Sequence, residues 1–376
     1  MKGVGKEIYP KDLPATDWDW IIYPLNPTFG DVPKIFLDTD TRINDLISKI
    51  KTSDFARSFF ITGVRGSGKT VFLNAVAQKL DQDDNCYRIN LINKDNLVAS
   101  LTKKLAIKTE SAFQKALNNV NSITVKEINI DLNSSETEYD IVLEKILEKV
   151  KRQIKYVVVT IDEIINTEAV REFAQVFNEL KGDNLPIFVL MTELPDLILD
   201  IQTQNKLTFL LRSEKIHTLS LKNADIIAAY SSVFNCSLSV ASRMAKMTGG
   251  YAFAFQLLGF LLFDQLNGKI PESADLDKVS IPFQLQLFDN AYQKIFIDLS
   301  EWDRKYLLAV RGDKRLRDVV KILGKDKVFV AQYRRRAIER KLIISAGYGL
   351  VQYTLPYFDE YLKQTKDPDS AYYWGY

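Results

Sequence analysis

The sequence predicts an α/β fold in which a parallel sheet is sandwiched by helices, followed by an all-helical region and a C-terminal unit of three helices and a hairpin. Two observations predict the α/β part: short apolar runs alternate with helical patterns up to residue 221, and the run Val157–Ile161 is continuously β-branched. Such runs are typical of strands buried on both faces of a parallel sheet. Beyond Leu221 only helical patterns occur as far as Leu299, which predicts the all-helical region.

The individual elements follow from these patterns in chain order. Residues Arg42–Ile50 carry isoleucine and leucine at helical spacing, and Tyr139–Arg152 is a charged amphipathic helix. Residues Ile123–Leu132 alternate apolar and polar side chains, which predicts a strand. The other predicted strands are Phe59–Thr62, Cys86–Ile92, Val157–Ile161 and Ile187–Met191. The other predicted helices are Val71–Leu80, Leu97–Leu105, Val170–Leu180, Ala224–Phe234, Ser239–Met247, Phe253–Leu266 and Phe283–Leu299.

The chain of 376 residues is long enough for two or three domains. We expect an N-terminal arm with the first helix (1–57), the α/β domain (58–221), the helical domain (222–299), a C-terminal domain (300–366) and a short tail (367–376). The tail holds four aromatic residues, which predicts either a docking strip or a disordered end.

Composition excludes several classes of protein. Two cysteines and one histidine provide neither a disulfide framework nor a zinc cluster. No apolar run reaches the ~20 residues that a membrane span needs, and the N-terminus lacks the apolar stretch of a signal peptide. We therefore expect a cytoplasmic protein with no membrane partner.

A glycine-rich segment lies between the strand Phe59–Thr62 and the helix Val71–Leu80. It reads Gly63-Val64-Arg65-Gly66-Ser67-Gly68-Lys69-Thr70 and matches the P-loop pattern G-x-x-x-x-G-K-[ST]. Successive backbone amides in such a loop form an anion nest, and the helix N-terminus adds partial positive charge. The predicted nucleotide contacts are therefore Gly63, Arg65, Gly66, Ser67, Gly68, Lys69, Thr70 and Val71, with the Thr70 hydroxyl on Mg²⁺.

Two acids close the buried strand Val157–Ile161, at the edge where ligands bind in open α/β sheets. Asp162 is the predicted Mg²⁺ ligand, and Glu163 is the predicted base that polarises the attacking water. Thr192, which ends the next strand, is a candidate to orient that water, or else an ordinary strand-end threonine in a turn. Arg212 is a candidate arginine finger in cis or from a neighbouring subunit, or else an ordinary salt-bridging arginine.

The base of the nucleotide is predicted to be adenine. Guanine is read by an N-K-x-D motif, and the nearest segment, residues 93–96, has its aspartate one position early and precedes Asp162. ATP or ADP with Mg²⁺ is therefore the expected ligand.

These features resemble the AAA+ and STAND-type P-loop ATPases, and in particular a prokaryotic group of ATP-binding proteins related to archaeal origin-recognition initiators. The resemblance spans residues 24–360 and rests on the arm Asn26–Pro33, the P-loop, the stretch Leu207–Arg212, and the motif Thr248-Gly249-Gly250-Tyr251 followed by Gln256-Leu257-Leu258-Gly259.

The resemblance carries several implications for the nucleotide site. It implies that the helical region is a lid and that Phe29 and Pro33 contact adenine, with simple linker packing as the alternative for that pair. A nucleotide-dependent homo-oligomer is also among the partners considered. Many AAA+ proteins carry a sensor arginine near the position of Gly249, where this chain has none. That departure is closer to the STAND pattern and implies a slow, switch-like hydrolysis.

The order of elements in the C-terminal unit predicts a winged helix. The predicted helices Trp302–Val310, Arg315–Leu323 and Val328–Lys341 precede a hairpin around Gly347-Tyr348-Gly349. Residues 301–342 hold 14 Lys and Arg against 6 Asp and Glu, an excess of +8 in a chain whose net charge is +2. The predicted contacts to double-stranded DNA are Lys325, Lys327, Gln332, Arg335 and Arg336.

Three functions remain open from the sequence. The first is a DNA-associated ATPase. The second is a STAND-like signalling switch whose winged helix holds a protein partner. The third is a DNA-binding regulator in which ATP is purely structural.

Overall fold

The structure is a computed structural model that describes residues 23–118, 139–193 and 213–375, apart from residues 29, 38, 39, 54–56, 94, 95, 313 and 348. For residues 111–118 it describes the backbone alone. The predicted strand Ile123–Leu132, Phe29 and Arg212 lie outside the described residues.

A parallel sheet forms the centre of the N-terminal half, as predicted, and the described residues contribute five strands to it. The strand order is β2-β3-β4-β1-β5, so the two strands that carry the glycine loop and the acids are separated by β4. Every residue of β4 is buried, which explains its continuously apolar run. The strands are β1 (Arg57–Thr62), β2 (Cys86–Leu91), β3 (Tyr156–Ile161), β4 (Ile187–Glu193) and β5 (Glu214–His217).

Helices cover both faces of the sheet. On one face, Val157 and Val159 of β3 join a core made with the helices α3, α4 and α5; on the other, Val158 joins a core made with α1 and α2. Helix α3 runs 13 residues beyond its predicted end because no glycine or proline interrupts it. The five helices are α1 (Asp40–Lys51), α2 (Lys69–Leu80), α3 (Leu97–Asn118), α4 (Tyr139–Arg152) and α5 (Glu168–Gly182).

The helical region (residues 222–299) follows the sheet. Ser237 caps α7 by accepting a hydrogen bond from the amide of Val240, and Gly249 ends it with φ of 55°. The last helix begins ten residues before its predicted start and passes through one π-helical turn, Phe288–Tyr292. The helices are α6 (Asn223–Phe234), α7 (Leu238–Thr248), α8 (Ala252–Leu266), α9 (Ser273–Leu287) and α10 (Gln293–Ile297).

The C-terminal unit (residues 300–366) consists of three helices, an antiparallel hairpin and one further helix that was not predicted. It shares a single apolar core with the helical region. Its elements are α11 (Glu301–Ala309), α12 (Leu316–Leu323), α13 (Lys327–Glu339), β6 (Ile343–Ser345), β7 (Val351–Tyr353) and α14 (Phe358–Gln364).

The aromatic tail packs against its own chain. The hydroxyl of Tyr372 donates to Asp289 at 2.7 Å, and the amide of Trp374 donates to the carbonyl of Thr365 at 3.0 Å. The guanidinium of Arg304 lies 4.5 Å from the indole centroid of Trp374. The described part of the tail is therefore packed against residues 289–365 of the same chain.

Among the described helices, none combines the length and the apolar character required to cross a membrane.

Candidate functional site

The glycine loop (residues 63–70) connects the buried end of β1 to α2. Gly66 and Gly68 have φ of 74° and 88°, a left-handed conformation that side chains with a Cβ rarely adopt. Gly63 has a different constraint, because a Cβ there would lie 1.9 Å from the hydroxyl oxygen of Thr218. The loop therefore needs these glycines for two reasons: conformation and close approach.

Two residues of the helical region donate hydrogen bonds to backbone carbonyls of the glycine loop. The hydroxyl of Tyr251 donates to the carbonyl of Arg65 at 2.6 Å, and the amide of Phe253 donates to the carbonyl of Gly66 at 3.1 Å. A Cβ on Gly66 would lie 2.1 Å from the Tyr251 hydroxyl. The loop and the start of α8 are thus in direct contact.

Lys69 is the buried charged residue of the loop. Its side chain is buried, and its ammonium donates to the carbonyls of Gly63 at 2.9 Å and Val64 at 3.0 Å. Burial lowers the pKa of Lys69 to about 8, against the opposing attraction of Glu163 and Asp162. The ammonium is therefore held at the loop beside the two acids.

Asp162 lies directly beside the end of the glycine loop. The hydroxyl of Thr70 donates to Asp162 Oδ1 at 3.1 Å. The sheet produces this approach, because β3 pairs with β4 and β4 pairs with β1, so the carboxyl ends of all three strands meet at one edge. The acids and the glycine turn share one face of the domain.

Glu163 has an uncommon backbone conformation for a residue other than glycine, with φ of 49°. Its amide donates to Thr192 Oγ1 at 2.7 Å, and its carbonyl accepts from Asn93 Nδ2 at 3.3 Å. These bonds hold the peptide while the side chain remains exposed and lines the cleft. A strained backbone of this kind persists only where its surroundings enforce it.

Thr192 differs from the sequence-based expectation. Its side chain is fully buried, donates its hydroxyl hydrogen to Asp162 Oδ1 and accepts the amide of Glu163. The hydroxyl hydrogen is thus already committed, and Thr192 does not line the cleft. The geometry makes Thr192 a residue that positions both acids instead of one that contacts the attacking water.

A cleft of about 310 Å³ lies between the loop, the acids, the start of α8 and an N-terminal arm (residues 23–37). Pro33, one of the two residues expected to contact adenine, lines this cleft. Apolar side chains contribute much of the lining, called here the apolar wall, and a flat apolar surface suits a planar ring. The apolar lining residues are Pro27, Pro33, Phe36, Leu37, Val71, Phe72, Leu219, Leu221, Ala252, Phe253 and Phe255.

The arm is clamped in place by two amide side chains. Gln256 accepts from the amide of Asn26 at 2.9 Å and donates to the carbonyl of Ile35 at 2.8 Å. Asn74 of α2 donates to the carbonyl of Gly30 at 2.7 Å. The arm therefore bridges the α/β part and the helical region over the cleft.

Sequence reasoning assigned no role to Tyr251 or Gln256, although both lie in segments that carried the resemblance.

Sequence reasoning also missed Glu193, the residue after Thr192. Glu193 is fully buried, and neither carboxylate oxygen has a hydrogen-bond partner in the part of the chain that the structure describes. Burial raises the pKa of Glu193 to about 8, partly opposed by Lys215 and Lys69.

The basic face of the C-terminal unit includes four of the five predicted residues. They are exposed on α13 and just before it: Lys325, Lys327, Gln332 and Arg335. Arg336 is a correction. It is half-buried, and its guanidinium donates two hydrogen bonds of 2.8 Å to the buried carboxylate of Asp303, so it stabilises the unit and is not an exposed phosphate ligand.

A known family covers the part of the chain that contains the glycine loop and the acids. Residues 36–222 match a family described as an ATPase domain predominantly from Archaea, and residues 289–362 match a domain family of unknown function. No curated protein matches the chain.

Two solved structures share the fold. The Walker-type ATPase PABY2304 of Pyrococcus abyssi is 13% identical, with a TM-score of 0.58 over 87% of this chain and 96% of that one. The ORC2 protein of Aeropyrum pernix, solved in ADPNP and ADP complexes, is 11% identical, with a TM-score of 0.55 over 89% of this chain and 94% of that one. With the match of residues 36–222 to the archaeal ATPase family, they show that this chain contains an ATPase domain with a P-loop fold.

Proposed function

We propose that this chain binds ATP with Mg²⁺ in the cleft, hydrolyses it slowly, and uses the nucleotide state to control DNA binding by its C-terminal unit. The observation that carries the proposal is the meeting of Thr70 and Asp162 at the end of a glycine loop that lines the cleft. A hydroxyl and a carboxylate at the end of the glycine loop are the pair expected to hold the metal ion of a bound nucleoside triphosphate.

The phosphates are bound by the glycine loop. Its amides and the N-terminus of α2 supply partial positive charge, and Lys69 supplies a full charge. In the structure Lys69 donates to Gly63 and Val64. We expect its ammonium to exchange these neutral carbonyls for phosphate oxygens, which form stronger, charge-assisted hydrogen bonds. Arg65, Ser67 and Val71 also line this end of the cleft.

The metal site fits the residues present. The Thr70 hydroxyl and Asp162 Oδ1 are oxygen ligands 3.1 Å apart, and Mg²⁺ binds through few protein oxygens while it keeps several waters. When bound, the ion neutralises charge on the phosphate oxygens.

Glu163 is the proposed general base. Its carboxylate is exposed to the cleft and accepts a proton from water as the water oxygen bonds to the γ-phosphorus. The bond from that phosphorus to the bridging oxygen breaks, which releases ADP and phosphate. Thr192 holds the backbone of Glu163, so the carboxylate starts from one defined position.

Adenine is the base that the apolar wall suits, and we propose that the arm covers it. Pro33 and Phe36 lie in this wall, and Gln256 and Asn74 hold the arm that carries them. Flat apolar contact favours adenine, whose recognition does not require a charged partner.

A continuous chain of contacts leads from the glycine loop to the C-terminal unit. Tyr251, bonded to Arg65, lies 6.4 Å from Tyr292 between ring centroids. The Tyr292 hydroxyl donates to the carbonyl of Pro356 at 2.5 Å, and Pro356 lies against Gly249. We propose that residues 222–299 act as a lid whose closure on nucleotide is passed along this chain.

The C-terminal unit is proposed to be a winged-helix domain with α13 as its DNA-facing helix. Lys325, Lys327, Gln332 and Arg335 are exposed, which suits contacts to phosphates that position the protein on a duplex. Lys325 also lies 5.0 Å from the ring centroid of Trp302, so an aromatic face steadies its side chain.

One observation favours the second candidate function, a STAND-like switch. Arg243 is the only arginine in residues 222–299, and it donates to Ser273 at 2.9 Å and pairs with Asp277. The lid therefore has no arginine directed at the loop. Without that charge, hydrolysis is expected to be slow, as in a switch that ATP closes and hydrolysis resets.

The test combines binding and turnover. We expect Lys69→Ala to abolish ATP binding and Glu163→Gln to retain binding but lose phosphate release, both measured with purified full-length protein. ATP affinity unchanged by Lys69→Ala would remove the proposal. Turnover is then compared with and without duplex DNA, and light scattering with and without ATP reports any homo-oligomer.

The DNA part has its own variants. Lys327→Ala/Arg335→Ala is expected to weaken duplex binding and to lessen its dependence on salt. A protein that makes fewer phosphate contacts releases fewer counterions from the DNA when it binds. Lys363→Ala/Lys366→Ala, which removes two exposed charges near the C-terminus, is the matched control. Equal affinity in both variants, together with ATP-driven assembly, would favour the switch.

A further inference from the structure

The lid contacts the glycine loop at one peptide group in particular. The Tyr251 hydroxyl donates to the carbonyl of Arg65 at 2.6 Å, and that carbonyl belongs to the same peptide as the amide of Gly66. In a planar trans peptide the carbonyl and the amide point in opposite directions. Holding the carbonyl towards the lid therefore aims the Gly66 amide the other way, and that amide donates to no backbone carbonyl among the described residues.

The contact is built from both sides. Tyr251 is buried, and Gly66 leaves the space that its hydroxyl fills, since a Cβ on Gly66 would lie 2.1 Å from it. Gly66 also has φ of 74°, so this peptide adopts an orientation that other residues would resist. The amide of Phe253 holds the next carbonyl, that of Gly66, at 3.1 Å.

We propose that Tyr251 is a positioning residue for phosphate binding: its hydroxyl fixes the peptide between Arg65 and Gly66 so that the Gly66 amide is directed at the phosphates. This inference rests on the proposed nucleotide site. The lid then acts on the phosphates through the loop backbone, in a chain whose lid arginine, Arg243, is bonded elsewhere.

The proposal predicts different effects on the binding of the phosphates and on the binding of the nucleoside. Loss of the hydroxyl should weaken binding of the phosphates and leave binding of the nucleoside unchanged, because the arm and the apolar wall contact the base. A purely structural role for Tyr251 in packing the lid would instead weaken both.

The experiment uses Tyr251→Phe, which removes one oxygen and keeps the ring. The matched control is Tyr230→Phe: Tyr230 is also buried in the helical region, and its hydroxyl also donates to a backbone carbonyl at 2.6 Å, that of Phe255. Affinities for ADP, adenosine and tripolyphosphate are measured without Mg²⁺ by calorimetry or by competition with a fluorescent ADP.

We expect Tyr251→Phe to lower the affinity for ADP and tripolyphosphate about tenfold, the effect of one lost buried hydrogen bond. Adenosine affinity should stay within twofold, and Tyr230→Phe should leave all three ligands within twofold. Unchanged ADP affinity in Tyr251→Phe would overturn the proposal, and so would equal losses for ADP and adenosine. If wild-type protein binds no ADP, the proposed function itself fails, which is a distinct result.

Discussion

Glu193→Gln should make the protein more stable, and the gain should increase with pH. Glu193 is fully buried at the end of β4, and neither of its carboxylate oxygens has a hydrogen-bond partner among the described residues. Burial raises its pKa from 4.5 to about 8. The folded protein therefore holds a proton on Glu193 that the unfolded chain releases at neutral pH.

The sign and size follow from that difference. For an acid whose pKa is raised by folding, stability is lost as pH rises from the unfolded value towards the folded one. Taking the values of 4.5 and about 8, the loss amounts to roughly 4 kcal/mol across that window. Glutamine has nearly the same shape and cannot ionise, so the variant should escape the loss.

Urea unfolding at pH 5, 6.5 and 8 measures the effect in both proteins. The difference in unfolding free energy between Glu193→Gln and wild type should be small at pH 5 and reach several kcal/mol at pH 8. Glu179→Gln, at an exposed position of α5, is the control and should show no such trend. A difference that stays constant with pH would refute the reasoning, because Glu193 would then be ionised in the folded state and paired with Lys69 or Lys215.

Three further predictions test other parts of the structure. Asp303→Asn should lower the free energy of unfolding in urea by roughly 3–5 kcal/mol, because the substitution removes the carboxylate that pairs with the buried guanidinium of Arg340 at 2.8 Å. A loss below 1 kcal/mol would contradict this. Gln256→Ala should weaken adenosine binding several-fold by releasing the arm, and equal calorimetric affinities would disprove the clamp. Burial raises the pKa of the Cys86 thiol to about 12, so Ellman's reagent at pH 8 should modify Cys86 far more slowly in native than in urea-unfolded protein, and similar rates would show that the thiol is accessible.

Much of the site could be predicted from the sequence because its signals are local. The glycine loop needs residues close together in the chain, and the acids follow directly after a buried strand. Parallel strands end at the same edge, so the approach of Asp162 to Thr70 follows from strand assignment alone. The order of helices and hairpin in the C-terminal unit was equally readable from periodicity and turn residues.

The remaining features depend on contacts between distant parts of the chain. Tyr251 reaches Arg65 across 186 positions, and Gln256 reaches Ile35 across 221. A basic helix pattern does not reveal that Arg336 is hydrogen-bonded to Asp303, because this contact depends on how α11 and α13 pack. The sequence by itself thus determined the phosphate loop, the acids and the sheet, whose periodicity and turn chemistry are local. Only the tertiary structure decided which side chains of residues 222–299 hold the loop and the arm and which charges are buried, because these depend on packing between elements far apart in the chain.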